Sequence, residues 1–267
     1  MRLWAGLHDR KKRQEAGLAL AEGARVAQEA LRAHGRPGAP WQVETVVLEN
    51  GREAEAPAAA VLAAAAALGV RVARLATGAY ARITSLKAPD GVAVVLRPSA
   101  GVLAGTALLE YFWQRPDACL LAAVGLQDPG NAGALARVAE AAGATGLALA
   151  GGVDTAHPRF LRGAMGSAFR LPCAGVTEAD LLALWMAPGP MRRLAACAKG
   201  AVGMARADWR PPMILLVGGE GGGIPEAFMD GAAAVSVPMS GEAESLNVAV
   251  AAGVLLYTAR GQWAVDG

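Results

Sequence analysis

The segment that most restricts what this chain can fold into is its last long pattern, Val235-Ser-Val-Pro-Met-Ser-Gly-Glu-Ala-Glu-Ser-Leu-Asn-Val-Ala-Val-Ala-Ala-Gly-Val-Leu-Leu-Tyr257. A strand pattern stops at Pro238, a polar loop follows, and a helical pattern opens at Ser245 with no polar residue for three turns after Asn247. A surface helix of a soluble domain keeps a polar face. This one has almost none, which predicts burial nearly all round, in a fold that packs other elements around its last helix. Ser245 and Asn247 in the opening turn, with Glu242 and Glu244 just ahead, crowd polar groups at the start of that helix. Such crowding beside apolar surface is the pattern of a binding site.

Ahead of this segment the chain alternates helix and strand patterns. In the first hundred residues Glu22–Leu31 reads as a helix and Val43–Leu48 as a strand, then Pro57–Leu68 as a helix, and Val70–Leu75 and Val92–Leu96 as strands. Arg97-Pro-Ser-Ala-Gly-Val-Leu-Ala-Gly105 has Pro and Gly with little periodicity and reads as a linker. The expected domains are therefore 1–98 and 107–267, joined through 99–106. In the second, Cys119–Val124 is a wholly apolar run, as in a buried parallel strand. Gly133–Ala142 reads as a helix closed by Gly143, Leu147–Ala150 as a strand, and Pro158–Ala168 as helical. Leu171–Val176 is extended, Thr177-Glu-Ala-Asp180 opens a helix with a capping pattern, and Ile214–Val217 and Val235–Val237 are strands. This order implies a parallel sheet covered by helices.

Composition narrows the classes. No apolar run approaches the roughly 20 residues of a membrane span. The first residues are charged (Asp9, Arg10, Lys11, Lys12, Arg13) with no apolar stretch behind them, unlike a secretory signal. Cys119, Cys173 and Cys197 are scattered and odd in number, which suits reduced thiols in a cytoplasmic protein better than disulfides or a zinc site. The net charge of +2 hides an asymmetry: residues 1–105 hold 14 Lys/Arg against 9 Asp/Glu, and residues 106–267 hold 11 against 14. The basic half suits a polyanion, and equally an ordinary solvated surface.

Three segments at the carboxyl ends of expected strands carry chemistry, the place where open α/β sheets bind ligands. In Gln127-Asp-Pro-Gly-Asn-Ala-Gly-Ala-Leu-Ala-Arg137, Asn131 serves either as a helix cap or as a site residue. Arg137 lies about 200° round the helix from Leu135, at about 100° per residue, and points away from the domain core toward solvent, a partner or a ligand. In Val217-Gly-Gly-Glu-Gly-Gly-Gly-Ile-Pro-Glu226 the glycines let backbone approach a ligand closely, and Pro225 stands near the first position of a following helix. No G-x-G-x-x-G register fits, and no Lys-Ser/Thr follows, so neither a dinucleotide fingerprint nor a P-loop is present. Glu220 would repel a phosphate and suits a positive or hydroxyl-bearing group. In the last segment Val237 and Leu246 offer apolar walls and backbone groups to an adenine, while Ser245 is either an N-cap or a catalytic group.

Together these segments resemble the SpoU/TrmH family of S-adenosylmethionine-dependent RNA 2′-O-methyltransferases, in the SPOUT class. Asn131-x-Gly133-x-x-x-Arg137, Gly218-x-Glu220-Gly-x-Gly223-Ile and Val237-Pro-Met-Ser-Gly241 with Ser245-Leu-Asn-Val248 match three family motifs in order and spacing. His157-Pro-Arg…Phe169-Arg-Leu-Pro172 is similar to another recurring segment. Arg10-Lys-Lys-Arg, Glu22-Gly and Arg82–Gly91 resemble an L30e-like substrate-binding domain. Gly219 and Ala249 depart mildly from the family pattern. The resemblance implies an α/β chain with a C-terminal deep trefoil knot, S-adenosylmethionine as cofactor, an RNA substrate and a homodimer. The separate N-terminal domain favours ribosomal over transfer RNA, with a tRNA ribose methyltransferase or a non-catalytic RNA-binding assembly factor as the alternatives; no metal cluster is visible, and the cysteines suit a cytoplasmic location. It implies that Arg137 is catalytic, with Asn131, Ser245, Asn247 and Glu220 in support. Gly218, Gly223, Val237, Met239 and Leu246 would contact the cofactor.

Overall fold

The computed structural model describes residues 2–100, 104–199, 202–219 and 221–266. Two compact units divide the chain: 1–102 with 156–170, and 103–155 with 171–267.

The first unit opens with helices α1 (Arg2–Ala5) and α2 (Arg10–Ala16), strand β1 (Ala19–Glu22) and helix α3 (Ala24–Ala33). Strand β2 (Trp41–Glu49), helix α4 (Ala56–Ala67), strand β3 (Arg71–Leu75), helix α5 (Thr77–Tyr80) and strand β4 (Val92–Pro98) follow. The strands make one sheet in the order β1-β4-β2-β3, with β4 antiparallel to both neighbours and β2 parallel to β3. One face is packed by Leu7, Leu20, Val47, Tyr80, Ile83 and Val95. The helix pattern from Glu22 begins two residues later than expected, because Ala19–Glu22 is a wholly buried strand and Gly23, at φ +109°, makes the corner between them.

The second unit runs α6 (Gly105–Trp113), β5 (Cys119–Val124), α7 (Pro129–Ala142) and β6 (Gly146–Ala150), and then, after helix α8 (Pro158–Gly163) of the first unit, β7 (Cys173–Val176), α9 (Glu178–Met186), β8 (Arg192–Ala196), β9 (Val202–Gly203), β10 (Met213–Gly218), β11 (Ala233–Ser236) and α10 (Val248–Asp266). Its seven strands lie in the order β7-β6-β5-β10-β8-β11-β9, and each of the adjacent pairs is parallel. Every residue of β5 is buried, as its apolar run requires. On one face Phe112, Trp185, Leu216 and Phe228 share a core, and Trp185 meets Phe228 edge-on at 5.7 Å. The helix α10 lies against α7.

Five expectations change. The segment 156–170, which reads from sequence as part of the second domain, belongs to the first unit: α8 lies against β1, and Arg170 pairs with Glu29 at 2.6 Å. Helix Pro158–Ala168 is α8 followed by a 3-10 turn, Ser167–Phe169, with Met165 and Gly166 at positive φ between them. Pro225 leads only into a 3-10 turn, Glu226–Phe228. The strands β8 and β9 are absent from the sequence reading, since β8 carries Arg192 and Arg193. The last helix is not covered all round within one chain, because Val250 and Tyr257 are each 53 % exposed.

Candidate active site

In the second sheet the chain moves from β5 to one side through β6 and β7, and β10 takes the place on the other side of β5. The loops after β5 and β10 therefore meet at a topological switch point, where a parallel sheet opens a crevice. Gly219 N–H donates to Val124 O at 2.9 Å, and a Cβ on Gly219 would sit 2.4 Å from Gly125 O. The loop after β10 closes on itself as Gly223 N–H donates to Gly219 O at 3.2 Å. Gly221 and Gly223 hold φ of +82° and +65°, the left-handed region that only glycine enters without strain. Gly218 is required by space, since a Cβ there would lie 2.2 Å from the carbonyl carbon of Gly223. Glu220, between them, lies outside the described residues.

At the end of α7 nearest the crevice the cap is Asp128, whose Oδ1 accepts from Asn131 N–H at 2.9 Å. Asn131 thus stands inside the first turn and is not the cap. Its Oδ1 accepts from Asn247 Nδ2 at 3.2 Å, tying the start of α7 to the start of α10. Asn247 caps α10: its Oδ1 accepts from Ala249 N–H and its carbonyl from Ala251 N–H, both at 2.9 Å. The helix therefore begins at Val248, and Ser245 lies in the loop ahead of it, exposed. Two turns along α7, Arg137 is exposed and has no hydrogen bond or ion pair among the described residues, while Leu135, Ala136, Ala139 and Ala142 are buried. The angular reading of that helix holds.

A cavity of 480 Å³ lies among the loops that follow β8, β10 and β11 and the first turns of α10. Gly218, Gly223, Val237, Met239 and Leu246, the five residues expected to contact a cofactor, all line it, and so do Ser245 and Asn247. Asn131 and Arg137 are not part of its lining. The sequence reading missed Ala196-Cys197-Ala198 after β8, and Ala251 and Leu255 of α10, which complete the walls. The short apolar run Leu194–Ala198 was the available signal, masked by the two arginines before it. Burial pushes the Cys197 thiol above its ordinary pKa. The volume is that of a small-molecule pocket, roughly 300–1,000 Å³. Its walls, of Val217, Val235, Val237, Leu246 and Leu255 with glycine backbone, suit a flat heteroaromatic ring held by main-chain groups. Among the described residues no cluster of His, Cys, Asp and Glu forms a metal site, and no helix is long and apolar enough to cross a membrane.

The model of the SpoU rRNA methylase family matches residues 118–257, which hold the cavity, Asn131 and Arg137. The chain belongs to the SpoU family. Residues 1–94 match the MRM3-like substrate binding domain. Two relatives are each 30 % identical over 97 % of this chain. One is an uncharacterized tRNA/rRNA methyltransferase of Synechocystis, of which 90 % is covered. The other is RlmP of Bacillus subtilis, a 23S rRNA guanosine 2′-O-methyltransferase, of which 94 % is covered. The crystal structure of the SpoU methyltransferase AviRb from Streptomyces viridochromogenes, in complex with AdoMet, superposes with a TM-score of 0.81 at 29 % identity, over 98 % of this chain and 97 % of that one.

Proposed function

We propose that this SpoU-family chain is an S-adenosylmethionine-dependent methyltransferase acting on a ribose 2′-hydroxyl of ribosomal RNA. The observation that carries the reading is the cavity, because the residues of two separate family motifs, Gly218 and Gly223 with Val237, Met239 and Leu246, converge on it. Held by Gly218, Gly223, Val237, Met239 and Leu246, S-adenosylmethionine would supply an electrophilic methyl group to the ribose oxygen, with its thioether as the leaving group and the hydroxyl proton passing to solvent. The chain's own part is to bind, orient and exclude water, and orientation alone is worth several kcal/mol. The Arg137 guanidinium holds the phosphate next to the target ribose, placing the hydroxyl and stabilising charge as the proton departs. Asn131 and Asn247 fix the start of α7 relative to α10, so that the arginine helix and the cavity keep one geometry. Ser245 completes the ribose side in this reading.

The exposed Val250 and Tyr257 on α10 support a homodimer in which a second copy covers that face and closes the site around Arg137. The path from β11 through an extended loop into α10, back against α7, supports a trefoil knot in the second unit. A ribosomal substrate would place the protein in the cytoplasm.

The test is to incubate the purified chain with tritiated S-adenosylmethionine and separate pools of unmethylated rRNA and bulk tRNA. Label in rRNA, recovered as a 2′-O-methyl nucleoside at an alkali-resistant linkage, is the expected result. Label confined to tRNA would overturn the choice of substrate. Label in a base would overturn the chemistry, and failure to bind the cofactor would leave a non-catalytic RNA-binding factor.

A further inference from the structure

The first unit sorts its cations into two sets. Along the sheet four arginines have partners: Arg97 meets Glu44, Arg74 meets Glu53 at 3.7 Å, Arg52 meets Glu55 at 2.7 Å and Arg71 meets the Thr45 hydroxyl at 2.7 Å. Around the segment 82–90 the pattern reverses. Arg10, Lys12, Arg25, Arg82 and Lys87 are exposed, and none meets a carboxylate through its side chain among the described residues.

Half-buried hydrogen bonds tie together the elements that carry these five. Glu22, at the end of β1, is 1 % exposed. Its carboxylate accepts from Thr84 Oγ1 at 2.6 Å, Ser85 N–H at 3.0 Å and Ser85 Oγ at 2.7 Å, so it holds the middle of the segment. Asp90 accepts from Ala24 N–H at 2.6 Å and Val92 N–H at 3.2 Å, fastening the segment's end to the start of α3, which bears Arg25. His8 Nε2–H donates to the Ile83 carbonyl at 2.8 Å, fastening the chain just ahead of α2, which bears Arg10 and Lys12. A buried carboxylate is tolerated only when its oxygens are satisfied. Here all three donors come from one segment whose exposed side chains include Arg82 and Lys87. A cluster of uncompensated cations repels itself, and that repulsion is relieved when phosphates arrive.

We propose that Arg10, Lys12, Arg25, Arg82 and Lys87 form the face of the first unit that grips the phosphate backbone of the RNA substrate, and that Glu22 is the positioning residue that shapes it. The proposal rests on the RNA-methyltransferase reading. Its test separates shape from charge. Replacing an acid within a basic face should, by Coulomb attraction alone, strengthen RNA binding. The latch predicts the reverse: Glu22→Gln weakens it, although the chain gains one unit of positive charge.

The measurement is filter binding of the full-length protein to unmethylated rRNA across a salt series, with methyl transfer on the same RNA. For Arg82→Ala with Lys87→Ala, the slope of log affinity against log salt should fall by about 2, one for each lost phosphate contact. For Glu22→Gln the RNA KM should rise while kcat at saturating RNA and cofactor affinity stay unchanged. Arg36→Ala, at the other end of α3, should change neither slope nor KM. If Glu22→Gln does not fold, Thr84→Val with Ser85→Ala removes the two side-chain hydrogen bonds to Glu22 without changing charge and must raise KM in its place. Equal or tighter RNA binding by the folded latch variants would overturn the role of Glu22, and an unchanged salt slope in the Arg82/Lys87 variant would overturn the face. A wild-type chain that methylates no RNA would instead remove the reading on which both stand.

Discussion

The cavity and the Arg137 face differ in how much of each is supplied by one chain. The cavity is walled by three strand-end loops and α10 of a single chain, with its glycine loop pinned to the last residue of β5. Arg137 stands on the exposed side of α7 with no partner among the described residues, and the neighbouring helix α10 leaves Val250 and Tyr257 open. In the proposed reading, binding the cofactor is thus a property the monomer can have alone, whereas the Arg137 face would gain its surroundings from RNA and a second copy. The sharpest way to break this comparison is Arg137→Ala. It should lower kcat by about 10²–10³-fold, the scale of losing one electrostatic stabiliser, with cofactor affinity and thermal unfolding unchanged. Equal losses in cofactor affinity would mean that the two regions are one.

Tyr257→Glu comes next. A buried interface aromatic is worth about 2 kcal/mol or more, so the variant should sediment as a monomer, keep cofactor binding in calorimetry and lose most methyl transfer. A monomeric variant with full activity would show that the Arg137 face is complete within one chain. On the other side of the comparison, Gly218→Ala should strike the cavity. Its methyl would press on Gly223, at a cost of about 1–3 kcal/mol from overpacking, and should lower Tm and weaken cofactor binding together. Retained affinity would mean that the loop is softer than its glycines imply.

What was legible in the sequence follows the same divide. Cys119–Val124 is strand at both ends as read, because a wholly apolar run has one use in a parallel sheet. The capping box from Thr177 to Asp180 is present as read. Arg137 was legible as exposed because helical periodicity alone fixes its angle. The caps of α7 and α10 were not, since Asp128 or Asn131, and Ser245 or Asn247, are equally good cap residues, and only the bonds from Asn131 N–H to Asp128 and from Ala249 N–H to Asn247 show which are used. The strand β8 was hidden by Arg192 and Arg193, whose heads leave the sheet to bind Asp208 and the Ala187 carbonyl. The apolar surface of α10 was legible as a face to be covered, but sequence could not tell cover by the same chain from cover by another.

Asn247→Ala tests the joint between the two regions. It removes the cap of α10, worth about 1 kcal/mol, and the tie to Asn131. A modest drop in Tm with a larger drop in kcat is expected, and parallel drops in stability and activity from the cap alone would show that the tie to Asn131 carries nothing.

The smallest effect concerns Cys197, because it probes the cavity without removing any contact assigned to catalysis. Burial raises its thiol pKa, as it does for Cys119 and Cys173, both pushed up to about 12. The raised values mean that the folded state keeps its thiol protons as pH climbs through the ordinary thiol range near 8.5. The unfolded chain releases them there, so stability should sag at alkaline pH. Since the thiolate is the reactive form, iodoacetamide should label native Cys197 more slowly than a free thiol at pH 8, and labelling should quicken as pH rises. Cys119 is buried outright, whereas Cys197 lines the cavity, so of these two Cys197 should react first, and S-adenosylmethionine should protect it. Mass spectrometry of the labelled peptides reads the outcome. Protection of Cys197 by cofactor with no change at Cys119 would locate the ligand in the cavity walled by one chain, and labelling that ignores the cofactor would move its site elsewhere.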